Sequence, residues 1–476
     1  MFISSIINGE MYNEENRETL PVKNPYNQQE IAKIILASRE DLNAAVDNCY
    51  ETYHRIIKKM PAYERADILL KTAQLLEARR EDFAQTVAEE AGKPLKLSRD
   101  EVDRAVQVLR FASEYAKQIN GEVIPLDAAV GGENRLGFTK RIPLGVVAAI
   151  TPFNFPLNLS LHKIAPALAA GNTVIFKPAE KTPISAFKLV QLFHEAGLPK
   201  GALNVIMGLG EELGDPLVEH DKVQKVTFTG SLPVGKGIRE KAEFKKITLE
   251  LGSNSPNIIF EDADIDSLVD NLVTGAFAFS GQVCISAQRI YVHESIYNEF
   301  LKKFVTQTKA LQIGDPLDEK TDFGPMIDEE AAERAKLWID DAVSNGAKVE
   351  TGGELTGAML TPTIMTNVHN DMKVIAEEVF APIVSIIPFR TEEEAIKLSN
   401  DSIYGLQAGI FTNDINRALY VADELEMGGV WINEISTYRQ DNHPYGGVKQ
   451  SGIGREGVKY AIDDMTELKF IGIKLN

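Results

Sequence analysis

What this chain has little of narrows it first. Its 476 residues include two cysteines, Cys49 and Cys284, and two tryptophans. Two thiols make neither a disulfide framework nor a four-cysteine metal site, and they fit a reducing compartment. Positive charge is in deficit, with 50 Lys and Arg against 69 Asp and Glu, a formal −19. Basic residues cluster only in pairs such as Lys58-Lys59 and Lys245-Lys246, so a nucleic-acid backbone is a poor partner. The longest apolar-rich stretch, 145–161, is broken by Pro152, Asn154 and Pro156 and reads as buried core rather than a membrane span. The N-terminus carries Ile3, Ile6 and Ile7 without a basic segment ahead of a long apolar one. That argues against a secretory signal and for a cytoplasmic location. The rest is ordinary globular composition, 44% apolar and 25% charged, with length for roughly two to four domains.

Helical spacing dominates 65–117, where Ile68, Leu69, Leu75, Leu76, Val102, Val106 and Leu109 recur among Glu, Lys, Arg and Ala. It predicts two or three amphipathic helices. A strand is expected over 135–141, after Gly131-Gly132. Then short apolar runs at 145–150, 173–176, 203–207, 225–228 and 246–251 alternate with helical segments at 157–170, 185–196, 213–219 and 234–242. That alternation marks a parallel sheet covered on both faces. It resumes at 257–260, 290–292, 384–388 and 429–433, so two successive α/β layers are expected. Residues 468–473 read as a strand whose edge pairs with something, often another subunit.

Two glycine-rich stretches compete for a phosphate. Gly208 to Gly214 nearly matches a dinucleotide fingerprint but is one residue too long and carries Glu211 and Glu212. Gly230 to Gly237 nearly matches a triphosphate loop, yet Gly237 stands where the magnesium-binding hydroxyl belongs. It still follows a strand and opens a helix, where backbone N–H groups attract a pyrophosphate without metal; an ordinary strand–turn–helix is the alternative. Cys284 follows a helix in Gly281-Gln282-Val283-Cys284 and is a core thiol or an activated nucleophile. Cys49 fits an ordinary helix position. Glu250, Asn154 and Lys177 each end an apolar run, where open α/β sheets bind ligands. An ion pair for Glu250 and plain loop positions for the other two are the alternatives.

In register, Thr151-Pro152-Phe153-Asn154-Phe155-Pro156, Phe176-Lys177-Pro178-Ala179-Glu180, Phe228-Thr229-Gly230-Ser231, Leu249-Glu250-Leu251-Gly252, Gly281-Gln282-Val283-Cys284, Glu377-Glu378-Val379-Phe380 and the tail 444–456 resemble the NAD(P)-dependent aldehyde dehydrogenase superfamily over nearly the whole chain. The resemblance implies catalysis by Cys284 as nucleophile, Asn154 as oxyanion donor and Glu250 as the base that hydrolyses the thioester. It implies NAD, with NADP not excluded, and no metal. The implied cofactor residues are Thr151, Pro152, Phe153, Lys177, Glu180, Gly230, Ser231, Gly235, Leu251, Glu378 and Phe380. Ser253, Ala381 and Phe153 depart from the family pattern without touching the three catalytic positions.

By the same resemblance the loop 436–445 walls the substrate site, with Asn154, Arg439, His443 and His162 as substrate-binding candidates. It looks most like the branch that oxidises lactaldehyde and related three-carbon aldehydes, lactaldehyde dehydrogenases and non-phosphorylating glyceraldehyde-3-phosphate dehydrogenases among them. A small hydroxylated or anionic aldehyde is expected. Glyceraldehyde 3-phosphate, sulfolactaldehyde, phosphonoacetaldehyde and succinic semialdehyde are alternatives. Remoter ones are a CoA-acylating dehydrogenase and a non-catalytic homologue. A brace between Arg439 and Asp441 is the alternative role for that arginine, and a packed core position for His162. The implied architecture is a Rossmann-like cofactor-binding domain (1–120 and 143–249), an α/β catalytic domain (250–445) and a small β oligomerisation extension (121–142 and 460–476). A homodimer or homotetramer is expected.

Overall fold

The apolar runs of the first layer become adjacent strands because each is buried on both faces. In this computed structural model, which describes residues 1–12 and 17–476, one eight-stranded sheet runs from Gly452–Ile453 through Lys246–Glu250, Val223–Thr229, Val146–Ile150, Thr173–Lys177 and Leu203–Val205 to Ile6–Ile7 and Glu10–Met11. The inner strands are parallel and the flanking pairs antiparallel. From Val146–Ile150 the chain first builds outward through Thr173–Lys177, then returns to its other side with Val223–Thr229. The carboxyl ends at that reversal leave a crevice, the usual ligand position in such sheets.

The connecting helix Asn158–Ala169 is buried along its whole length, which accounts for the apolar stretch over 145–161. Helices Ala62–Ala78, Arg80–Ala91 and Leu95–Ala116 fulfil the expectation over 65–117.

A second, seven-stranded sheet orders Lys348–Thr351, Thr363–Thr366, Ile383–Phe389, Arg289–His293, Pro256–Ile259, Gln407–Phe411 and Gly429–Ile432. Only Lys348–Thr351 is antiparallel to its neighbour in that sheet. Sequence runs missed Lys348–Thr351, Thr363–Thr366 and Gln407–Phe411. The last contains Gly409, where a Cβ would lie 2.5 Å from Asn257 Oδ1. Close packing, not strand propensity, selects that residue.

The C-terminal strand spans Thr466–Lys474 and pairs within the chain, antiparallel to Arg135–Pro143, with Val123–Ile124 beyond. Its other edge is unpaired among the described residues. Leu468, Phe470 and Ile473 of this sheet are exposed. No helix among the described residues is long and apolar enough to cross a membrane.

Candidate active site

A cavity of about 980 Å³ occupies the crevice. Thr151, Pro152 and Phe153 line it from the loop after Val146–Ile150, and Lys177 and Glu180 from the next strand end. Gly230, Ser231 and Leu251 contribute another wall, and Glu378 and Phe380 the wall from the second sheet. Gly235 lies beneath the lining: a Cβ there would sit 2.4 Å from Leu251 Cδ2, so glycine lets the helix Leu232–Lys241 press onto the strand end. The N-terminus of that helix has no side-chain cap, which leaves its first N–H groups for an anion. Lys177 Nζ lies 3.6 Å from Glu180 Oε2; burial pulls the lysine pKa down against that attraction. Glu378 leans over Gly252, where a Cβ would clash at 2.3 Å, and accepts the Ser253 N–H at 3.2 Å. Burial pushes its carboxyl up to about 7 despite that bond and Arg334. Phe380, at φ 48°, meets Phe153 edge to face at 5.9 Å. A volume of this size, polar ribose-type partners at both ends and an uncapped helix start between them fit a dinucleotide.

Cys284 and Asn154 also line the cavity. After the helix Ile265–Phe277 the chain takes left-handed turns at Phe279 (φ 46°), Ser280 (φ 56°) and Gly281 (φ 67°). Such turns are costly for the two non-glycine residues. Ser280 Oγ holds them by donating to the Gly324 carbonyl at 2.7 Å, and Gln282 Oε1 accepts the Ile327 N–H at 2.9 Å. Asn154 Nδ2 donates to the Gln282 carbonyl at 2.9 Å, which ties its loop to the cysteine loop and leaves its second N–H free to serve a ligand. Cys284 Sγ lies 3.0 Å from Tyr445 Oη. Burial pushes the thiol up to about 11; Tyr445 and Arg439 pull against that and Glu378 and Glu250 add to it.

Glu250, at the end of Lys246–Glu250, is buried, and neither of its oxygens has a hydrogen-bond partner among the described residues. A Cβ at Gly446 would lie 2.9 Å from its Oε1. Burial first, then the neighbouring Glu456, raise its pKa well above the ordinary carboxylate value, against Arg439, Lys163 and Arg455. Glu456 is the opposite case. Burial would raise it, but Lys163 Nζ at 2.7 Å and Arg439 Nη2 at 3.1 Å hold it ionised and below its usual value.

The alternative brace between Arg439 and Asp441 does not form. Arg439 pairs with Glu456 and stacks on Tyr445, with Cζ 3.6 Å from the ring centroid. Asp441 instead accepts from Arg104 at 2.7 Å and sits 2.8 Å from His162 Nε2. Those partners hold its carboxyl far below the usual range although burial opposes them. His162 is buried in that network, with burial pulling its pKa down. His443 Nδ1 donates to the Pro444 carbonyl at 2.9 Å. Arg439 Nε and His443 Nε2 are buried without hydrogen-bond partners. Cys49 sits in the helix Arg39–Arg55, Sγ 3.4 Å from the Val174 carbonyl.

Sequence reasoning passed over Tyr445, Glu456, Lys163 and Arg104 as site residues. Lys163 had a signal, a lone cation in the apolar run Ile164-Ala165-Pro166-Ala167. For Tyr445 only the fold brings the hydroxyl to the sulfur.

Comparison with known proteins accords with this site. The chain is 50% identical over 469 residues to a 3-sulfolactaldehyde dehydrogenase of Priestia megaterium, covering 98% of this chain and 97% of the relative. It is 46% identical over 461 residues to a lactaldehyde dehydrogenase of Methanocaldococcus jannaschii, covering 96% and 97%. The crystal structure of the glyceraldehyde-3-phosphate dehydrogenase GapN of the same archaeon, complexed with NADP, superposes with a TM-score of 0.93 at 44% identity, covering 96% of this chain and 100% of that one. The aldehyde dehydrogenase family model matches residues 12–471, and the chain belongs to that family.

Proposed function

We propose that this NAD(P)-dependent aldehyde dehydrogenase oxidises a small hydroxylated or anionic aldehyde of the lactaldehyde or sulfolactaldehyde type to its carboxylic acid. Cys284 Sγ, as the thiolate, bonds to the aldehyde carbon. The oxygen that gains charge faces the free N–H of Asn154, a fixed donor of a kind that contributes ~3 kcal/mol to such steps. A nicotinamide dinucleotide held in this cavity would supply the oxidising power, as the acceptor of the hydride that leaves the aldehyde carbon. Lys177, Glu180 and the helix start at Leu232 orient the dinucleotide, and Glu378 with Phe153 and Phe380 confines its reactive end. Glu250, unpaired and raised in pKa, then takes a proton from the water that attacks the thioester on Cys284. A resident hydrolytic base disfavours a CoA-acylating reading.

The observation that carries the substrate class is the pair of orphaned groups in 436–445. Arg439 Nε–H is a charged donor with no acceptor, an arrangement that costs free energy until an anion fills it. His443 uses Nδ1–H on a carbonyl, so Nε2, buried without a partner, is the nitrogen left for a substrate hydroxyl. An anion and a hydroxyl on one short aldehyde satisfy both. One relative is named for an aldehyde with both groups, 3-sulfolactaldehyde, and another for lactaldehyde, which has the hydroxyl alone. A panel of lactaldehyde, sulfolactaldehyde, glyceraldehyde 3-phosphate, succinic semialdehyde, hexanal and benzaldehyde tests this by kcat/KM. Hydroxylated or anionic three-carbon aldehydes are expected to lead; preference for hexanal or benzaldehyde refutes it.

The exposed apolar residues on the sheet of Thr466–Lys474 are proposed as a subunit interface between copies of this chain, checked by light scattering of the intact enzyme. A cytoplasmic location accords with the reduced thiols.

A further inference from the structure

We propose that the Tyr445 hydroxyl is a catalytic donor to Cys284, holding the thiolate by an O–H···S⁻ bond that Arg439 strengthens from the face of the ring. This rests on Cys284 being the nucleophile. Oη lies 3.0 Å from Sγ, and the tyrosine is only 3% exposed. A thiol and a phenol can donate in either direction, but once the sulfur is ionised it only accepts, so the bond persists solely with tyrosine as donor. Charge-assisted bonds of this kind are about twice as strong as neutral ones. The phenol stays protonated through the working range, because burial and the nearby sulfur both oppose its ionisation.

Arg439 contributes twice. Its Cζ sits 3.6 Å from the ring centroid, drawing electron density from the ring and making the O–H a better donor. Its positive charge also favours the ionised sulfur, pulling the thiol down against burial. The remaining charged groups around the pair are Glu250 and Glu378 near the sulfur. Glu456 and Asp441 lie beside the arginine, with Lys163 and His162 behind Glu456. The two carboxylates near the sulfur disfavour the thiolate, so something close must offset them. Tyr445 is the one hydroxyl bonded to Sγ among the described residues.

The test is the pH dependence of iodoacetamide alkylation of the intact enzyme. Cys284→Ala gives the background, and buried Cys49 adds little to it. Tyr445→Phe keeps the ring beneath Arg439 and removes only the hydroxyl. The expected result is an upward shift of the alkylation midpoint by about one pH unit (a tenfold loss of thiolate at a given pH), with dinucleotide affinity unchanged and kcat/KM reduced in proportion. An unchanged midpoint in folded Tyr445→Phe overturns the proposal. If that variant does not fold, site-specific 3-fluorotyrosine at 445, a more acidic donor, is expected to lower the midpoint, and no shift overturns it. Full turnover by Cys284→Ala would instead defeat the nucleophile assignment, a different result from an unshifted midpoint.

Discussion

Replacing Arg439 by glutamine separates the substrate reading from general damage to the site. The guanidinium makes two contacts and leaves one buried donor unpaired. Nη2 meets Glu456 at 3.1 Å, the cation covers the Tyr445 ring at 3.6 Å, and Nε is buried with no partner. The first two act whatever the substrate is, so their loss lowers kcat/KM for every aldehyde. Nε, buried and unpaired, is left for the substrate. A hydrogen bond to a charged group contributes about 1.5–3 kcal/mol, or about 10- to 150-fold. Arg439→Gln is therefore expected to lower kcat/KM for sulfolactaldehyde by that factor more than for propanal, which offers no anion. Glutamine still reaches with an N–H, so the lower end is expected first. The assay is initial-rate formation of reduced cofactor for both aldehydes at fixed pH and saturating dinucleotide. Equal loss for the two aldehydes refutes the reasoning, because Arg439 would then serve only Tyr445 and Glu456.

Glu250→Gln removes the base without removing the nucleophile, so pre-steady-state traces should show a burst of about one reduced cofactor per active site and then turnover slowed by about 10²- to 10⁴-fold; a steady-state rate equal to wild type refutes the assignment. Because burial raises Glu250, it is protonated and idle at low pH and gains its function as pH rises through a value well above 4.5, so the acidic limb of wild-type kcat should lie in that region and disappear in Glu250→Gln. Glu180→Ser removes a carboxylate beside Lys177 that opposes a 2′-phosphate, while Lys181 next to it is tied to Asp328; the kcat/KM ratio of NADP to NAD should rise about tenfold or more, about 1.4 kcal/mol, and a fall refutes the reading. Lys93→Met leaves the buried Glu101 carboxylate without its cation, at a cost of about 3–5 kcal/mol; urea unfolding should show it, and a change under 1 kcal/mol means the pair contributes little.

The layer order, the parallel strands of the first sheet and the placing of Glu250, Lys177 and Asn154 at strand ends were legible because burial on both faces forces continuous apolar runs. Thr363–Thr366 and Gln407–Phe411 were not, since threonines end the first on both sides and Gln407 and Gly409 interrupt the apolar run of the second. The catalytic and ribose-side cavity residues were legible through motifs in register, whereas Leu209, Glu211, Asp215 and Arg334, which also line the cavity, were not. The ion-pair pattern was not. Arg439 and Asp441 are two residues apart, and proximity in sequence suggested they pair; the fold instead presents Asp441 to Arg104 and His162, and Arg439 to Glu456. Local spacing says nothing about a partner 337 residues away.

The two buried carboxylates explain why the site needs so many cations. Glu456 and Glu250 lie close enough to influence each other, and two ionised carboxylates in a low-dielectric interior repel strongly. Lys163 and Arg439 both bond to Glu456, so its proton is displaced and its charge is fixed. Glu250 receives none of those hydrogen bonds. Its proton affinity stays high for that reason, and a carboxylate of high proton affinity is what removal of a proton from water requires. Had the cations been aimed at Glu250, it would be permanently ionised and a weak base. The fold therefore separates two chemically identical groups into a fixed anion and a titrating base by the direction in which Lys163 and Arg439 point. Arg439 does this with Nη2, leaves its face for Tyr445 and so for the sulfur, and keeps Nε for the substrate. One side chain thereby links the charge of the aldehyde, the ionisation of the nucleophile and the basicity of Glu250.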